Sequence, residues 1–267
     1  MHFRLHALRR GRAKFKSTNG AQHDCRVSSR VRRHSRFNTP DGYLLITLHH
    51  LNNSRSQRII WLLEELGLDY EIKRYERDAK TMLAPPSLRK VHPLGKSPVI
   101  TDGDNTLAES GAIIEYLVER YGGGRLIPAA GSTARLRYTY WLHFAEGSAM
   151  PPLLLKLIFD KIETTPMPFF VKPIAKGISA KVKSSFINPQ LTQILDYMEK
   201  ELVKKDWFAG ADFSAADVQM SFPLEAAAAR GGLDKSKPRL TDFLRRIHAR
   251  PAYQRALERG GEYSIIQ

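Results

Sequence analysis

Apolar positions change their spacing partway along the chain, and the change divides the sequence into two kinds of structure. Tyr43 to Leu48 reads Tyr-Leu-Leu-Ile-Thr-Leu, an apolar run of strand length, and His49 to Ser54 follow as a polar turn. Over 56–66, Ile59, Leu62, Leu63 and Leu66 recur at helical spacing, with Gly67 placed to stop the helix. Asp69 to Tyr75 supplies a second strand, so the opening is a βαβ unit and its two strands pair in parallel. After a proline-containing stretch, Ser97 to Thr101 and Thr106 to Ala108 flank Asp102-Gly103-Asp104-Asn105, which makes a hairpin. Ser110 to Tyr121 then carries Ile113, Ile114, Leu117, Val118 and Tyr121 on one helical face, ended by three glycines at 122–124.

Beyond Pro128 the strand signals fade. Helical spacing recurs over 136–144, 153–162, 187–203, 215–229 and 240–248. The expected organisation is an α/β domain over 43–122, ordered βαβ, loop or helix, ββα, a linker near 122–133, and an all-helical domain over 134–260. Within the second half, Ser214 with Asp217 three residues on fits a capping box opening the helix at Ala215.

Charge changes this picture only at one end. The 267 residues carry a formal net charge of +15, which by itself suggests a nucleic-acid partner, but residues 1–40 hold eleven Arg or Lys and one acid. Ten of the fifteen charges therefore sit in a segment too poor in apolar residues to form a core, and residues 1–42 are expected to be a disordered extension. It has three readings: a transit peptide, a basic arm for anionic surfaces, or an upstream stretch from a wrongly chosen start, the last preferred. The remaining chain, with 42% hydrophobic and 26% charged residues overall, reads as globular without nucleic-acid binding. No apolar run approaches the roughly 18 residues that cross a bilayer, so no stable membrane insertion is expected. The single cysteine, Cys25, lies in the basic segment, which removes disulfides and a cysteine nucleophile from the expected core and fits a reducing, cytoplasmic setting.

The residues with most chemical content are His92-Pro93-Leu94-Gly95-Lys96-Ser97-Pro98-Val99 and, after the hairpin, Glu109-Ser110. A proline at a strand start, if cis, turns the preceding backbone outward and leaves its polar groups free for a ligand. Ser110 is placed to cap a helix whose first amides and positive dipole end favour a carboxylate. Adjacent strand residues point to opposite faces, so His49 and His50 do not share a metal ion, and no metal is expected.

The order βαβ then ββα, the Ser-Pro-Val strand start and the Glu-Ser helix start resemble the glutathione-binding half of cytosolic glutathione transferases, over about residues 43–260. Leu51 to Ser56 and Lys90 to Val99 look most like the Gtt-like subgroup of fungi and bacteria. The resemblance implies a thioredoxin-like domain followed by a helical bundle that holds a small hydrophobic electrophile. It implies that the backbone beside a cis Pro98, that of Ser97 or Val99, pairs with the cysteinyl part of glutathione. Glu109 and Ser110 would hold the γ-glutamyl end, with Lys96 near the glycyl carboxylate.

The chemistry needs glutathione, the co-substrate, as its thiolate, and a free thiol titrates near about 8.5. In the family the activating donor follows the first strand and is tyrosine, serine or cysteine. Cysteine and tyrosine are absent there, which leaves Asn53, Ser54 and Ser56; Asn53 and Ser54 both align with the family serine, Ser54 being favoured, while Ser54 or Ser56 as a mere helix cap stays open. Tyr138, Trp141 and Phe144, among the aromatics of the first helix of the second half, are the candidates to line the co-substrate cleft. The implied activity is conjugation of glutathione to electrophiles in detoxification, with peroxide reduction beside it, in a homodimer. A non-catalytic glutathione or ligand binder on the same fold is the alternative.

Overall fold

The computed structural model describes residues 45–265, so the readings of the basic extension and of Cys25 lie outside the described residues. The α/β part runs β1 (Ile46–Leu51), α1 (Ser56–Leu66), β2 (Tyr70–Tyr75), α2 (Pro86–Arg89), β3 (Val99–Asp102), β4 (Asn105–Ala108) and α3 (Ser110–Tyr121). The four strands form one sheet in the order β2-β1-β3-β4. The crossover through α1 makes β1 and β2 parallel, in register from Ile46 opposite Tyr70 to Leu51 opposite Tyr75, as βαβ connectivity requires. β3 runs antiparallel to β1 and turns into β4 as the expected hairpin. This is the thioredoxin-like arrangement.

β1 ends three residues later than its apolar run predicts. His49 and His50 continue the strand and are buried, where a turn was expected, because each imidazole has a polar partner that offsets its desolvation. Nδ1 of His49 lies 2.9 Å from the Tyr75 hydroxyl and Nδ1 of His50 lies 2.7 Å from Ser56 Oγ, on opposite faces of the sheet. The stop at Gly67 is as read: its φ of +67° is a left-handed C-cap that a side chain would strain.

The helical part comprises α4 (Thr133–Phe144), a π-helical turn at Ala145–Ala149, α5 (Met150–Thr164), α6 (Lys172–Val182), a second π-turn at Lys183–Ile187, α7 (Asn188–Val203), α8 (Ala215–Ala226), a third at Ala227–Gly231, α9 (Pro238–His248) and α10 (Pro251–Gly260). Every helix expected from spacing is present, and α6 and α10 are additional. α8 is buried along its whole length and opens with the capping box of Ser214 and Asp217. One apolar cluster runs from Leu48 and Ile100 of the sheet and Ile113 of α3 through Trp61 and Leu62 of α1 to Trp141, Phe208, Val218 and Phe243. α1 is consequently enclosed on nearly every side. Its polar residues Ser56, Gln57 and Arg58 are buried with its leucines, so the polar face of the expected amphipathic helix is a contact with α8 and α10 rather than with solvent.

Candidate active site

Three chain segments meet at the carboxyl end of β1. The first is the turn 52–55, which carries the chain from β1 into α1. The second is the Ser97–Pro98 peptide, which is cis. Pro98 is buried at the entry to β3, and Ser97 is tied across the sheet: its hydroxyl donates to the His49 carbonyl at 2.9 Å and accepts from the Leu51 amide at 3.2 Å. The third is the start of α3, where Glu109 holds φ +69°. A glutamate in the left-handed region is strained, and such strain collects at ligand sites. Glu109 and Lys96 are exposed along the rim.

The three candidate donors differ sharply in their surroundings. Ser56 Oγ is fully buried and bound to His50. Asn53 turns its side-chain carbonyl to the Ser264 amide, 2.8 Å away in the C-terminal strap. Ser54 Oγ lies 2.7 Å from Ser56 Oγ and 3.4 Å from Ser97 Oγ, and it accepts from the Ser56 amide at 3.3 Å. A single hydroxyl network thus runs from His50 through Ser56 and Ser54 to the residue preceding Pro98.

Burial, with Arg74 nearby, lowers the His50 pKa to about 4 against a favourable bond to the Gly260 backbone, so the ring is neutral at pH 7. In the unfolded chain it titrates near 6.5. The unfolded state therefore takes up the proton first as pH falls, and the stability present above pH ~6.5 is lost progressively toward pH ~4, by roughly 2–3 kcal/mol. Urea midpoints measured between pH 7 and 4 are expected to fall less steeply in His50→Gln than in the parent chain. Equal slopes in the two proteins would contradict the buried neutral ring.

Ser110 is not the cap its position suggests. Glu109 is the N-cap residue, and Ser110 is the first residue of α3, with its hydroxyl turned inward. That hydroxyl accepts from Arg58 Nη2 at 2.9 Å and from Gln219 Nε2 at 3.4 Å. Arg58, 2% exposed, also donates to the Gln219 carbonyl at 2.6 Å and to Glu146 at 2.5 Å, while Arg55 pairs with the same glutamate at 3.0 Å. Burial pushes the Glu146 carboxyl up, but Arg58 and Arg55 outweigh it and hold it below the usual range. Sequence spacing gave no sign of Arg58. The only available signal was a charged residue two positions from a glutathione-site candidate.

The aromatic cleft residues are corrected by their burial. Tyr138 and Trp141 are fully buried and Phe144 nearly so, and Trp141 packs on Phe208 and Tyr197 at ring distances of 4.6 and 5.6 Å. Helix α4 turns this face into the bundle, so the three residues back the wall of the helical domain and offer no open surface to a co-substrate. A depression of about 730 Å³ lies along α7 and the π-turn before it, lined from Ser184 to Lys200, and includes no residue of the α/β part.

The family model for the glutathione S-transferase N-terminal domain matches residues 45–119, and that for the C-terminal domain matches residues 159–251. Glutathione S-transferase 3 of Schizosaccharomyces pombe is 39% identical over 217 residues, which cover 80% of this chain and 88% of that protein. A glutathione S-transferase of Actinobacillus pleuropneumoniae, solved by crystallography, is 35% identical with a TM-score of 0.66, over 83% of this chain and 95% of that one. The structure of a sphingomonad glutathione S-transferase complexed with glutathione is 26% identical with a TM-score of 0.62, over 80% and 98% of the two chains.

Proposed function

The chain belongs to the glutathione transferase family, and from that premise we propose that it binds glutathione across the groove between cis Pro98 and the start of α3 and ionises its thiol at Ser54. The observation that carries the assignment is the 3.4 Å approach of Ser54 Oγ to Ser97 Oγ, which puts one hydroxyl beside the backbone that pairs with the cysteinyl residue. Ser56 is sealed behind it, and Asn53 is tied through its side-chain carbonyl to the Ser264 amide of the strap, whereas Ser54 is the one bonded to Ser97. The fungal and bacterial relatives agree with a Gtt-like placement.

The Ser97 or Val99 backbone pairs with the cysteinyl unit, Lys96 attracts the glycyl carboxylate, and Glu109 with Ser110 seats the γ-glutamyl end at the positive end of α3. The thiolate then lies near the start of α1, within reach of the Ser54 hydroxyl. A charged sulfur is a stronger acceptor than the neutral Ser97 oxygen, to which the Ser54 hydroxyl donates at 3.4 Å, so the Ser54 proton turns toward it and the thiol pKa falls. The sulfur attacks an electrophilic carbon, a carbon–sulfur bond forms, and the leaving group or π electrons carry away the negative charge. The same thiolate attacks a hydroperoxide oxygen, releasing the alcohol, and a second glutathione completes the reduction as the disulfide with water.

The co-substrate domain is taken as residues 134–260, the glutathione domain as 43–122, the protein as cytoplasmic, and the assembly as a homodimer. Support for the dimer comes from Leu154, Leu157 and Ile158 of α5 and Ile174 and Ile178 of α6, apolar side chains exposed on two neighbouring helices. No described helix is long and apolar enough to cross a membrane. Purified full-length protein is expected to be retained on immobilised glutathione, to conjugate glutathione to an aryl halide, and to sediment at twice the chain mass. Absence of both retention and conjugation would defeat the transferase reading.

A further inference from the structure

We infer that Arg58 is a positioning residue that gives the glutathione site its selectivity for the γ-glutamyl carboxylate, acting through the Ser110 hydroxyl. This rests on the glutathione reading above. Ser110 Oγ receives two N–H donors, from Arg58 Nη2 at 2.9 Å and Gln219 Nε2 at 3.4 Å, and donates to no group among the described residues. A hydroxyl has one proton and two lone pairs. With both acceptor positions used from behind, its own proton is left for the groove, where the first amides of α3 also point. Ser110 is thereby fixed as a donor, and an anion is the ligand it accepts.

Arg58 is itself held from three sides. Its Nη1 donates to the Gln219 carbonyl of α8, its Nη2 is shared with Glu146 of the π-turn after α4, and its guanidinium lies 5.3 Å from the Phe222 ring. The planar fork spans these acceptors at once, which the single ammonium of lysine does not. Glu146 balances the buried charge, and Arg55 shares that glutamate from the rim. The helical domain, through Gln219, Phe222 and Glu146, therefore sets the direction of a donor in the glutathione domain. Sequence spacing puts Arg58 on a helix face that looks solvated, and the seat that the family resemblance implies for Glu109 and Ser110 does not include it.

The test compares glutathione with γ-aminobutyryl-cysteinylglycine, which lacks only the glutamyl carboxylate, by calorimetric titration of the full chain. The parent protein is expected to prefer glutathione by roughly tenfold or more. Ser110→Ala and Arg58→Lys are each expected to weaken glutathione roughly tenfold and the analogue less than twofold, and the double variant to be no worse than either single one. Should Arg58→Lys fail to fold, Gln219→Met removes the weaker donor onto the same hydroxyl and is expected to give a smaller loss confined to glutathione. Equal losses for both ligands, or none for either, in the Arg58 or Gln219 variant of a selective parent protein would overturn the positioning role alone. A parent protein that binds the two ligands equally would overturn the γ-glutamyl seat and this inference with it.

Discussion

Replacing Ser54 with alanine is expected to lower kcat/KM for glutathione conjugation by about 10- to 100-fold while leaving the affinity for glutathione nearly unchanged. A hydrogen bond to a charged acceptor is worth about 1.5–3 kcal/mol, and each 1.4 kcal/mol is tenfold in rate. The peptide seat at Pro98 and α3 does not involve the Ser54 side chain, so binding of the tripeptide persists. Only ionisation suffers, and the pH at which kcat/KM reaches its plateau moves up toward the value of a free thiol. Asn53→Ala is the informative contrast. Its side-chain carbonyl is already bound to the Ser264 amide, so its loss loosens the strap without removing the donor. A full-rate Ser54→Ala protein beside an impaired Asn53→Ala protein would transfer the role to Asn53.

The second large effect lies far from the groove. Asp217→Ala is expected to cost about 3–5 kcal/mol of stability, a substantial part of the ~5–15 kcal/mol available to a domain. Asp217 is completely buried, and its carboxylate accepts from the Phe208 amide at 2.9 Å, the Ser214 amide at 2.8 Å and the Ser214 hydroxyl at 3.0 Å. Alanine leaves all three donors without a partner in a site closed to water, and an orphaned buried donor costs about 1–3 kcal/mol. Ser214→Ala removes one of these donors with the acceptor still in place, and about 1 kcal/mol is expected. Urea melts of the two variants against the parent chain separate the cases. A loss for Asp217→Ala no greater than that for Ser214→Ala would contradict its role as the junction between the α7–α8 loop and α8.

That junction shows how far the sequence is readable. The spacing of Ser214 and Asp217 announces a capping box, because a cap is a contact across three residues. The Phe208 amide on the same carboxylate is a loop contact with no periodicity to betray it. The βαβ and hairpin segments were legible for the same reason: β-branched and leucine-rich runs bounded by Gly67 and by Asp102-Gly103 encode local structure. His49 and His50 were misplaced into a turn because the Tyr75 and Ser56 hydroxyls that allow their burial become neighbours only after folding. Arg58 was hidden on an apparently polar helix face that α8 covers.

Helix α6 escaped notice for the opposite cause. Of its eleven residues only Ser179 is buried: Ile174 and Ile178 sit one turn apart but face outward, and Pro173 and Gly177 punctuate so short a run. The aromatics of α4 announced a helix correctly but not its orientation. Trp141 and Phe144 pack on Tyr197, Trp141 also on Phe208, and Tyr138 is buried beside them; nothing in their spacing distinguishes this inward packing from a cleft wall.

The most direct test of the central claim is a crystal structure of the full chain with glutathione bound. The sulfur is predicted within hydrogen-bond reach of Ser54 Oγ, with the cysteinyl backbone paired beside Pro98 and the γ-glutamyl carboxylate at the start of α3. Glutathione seated elsewhere, or in this groove with its sulfur against Asn53 or directed away from the start of α1, would contradict it.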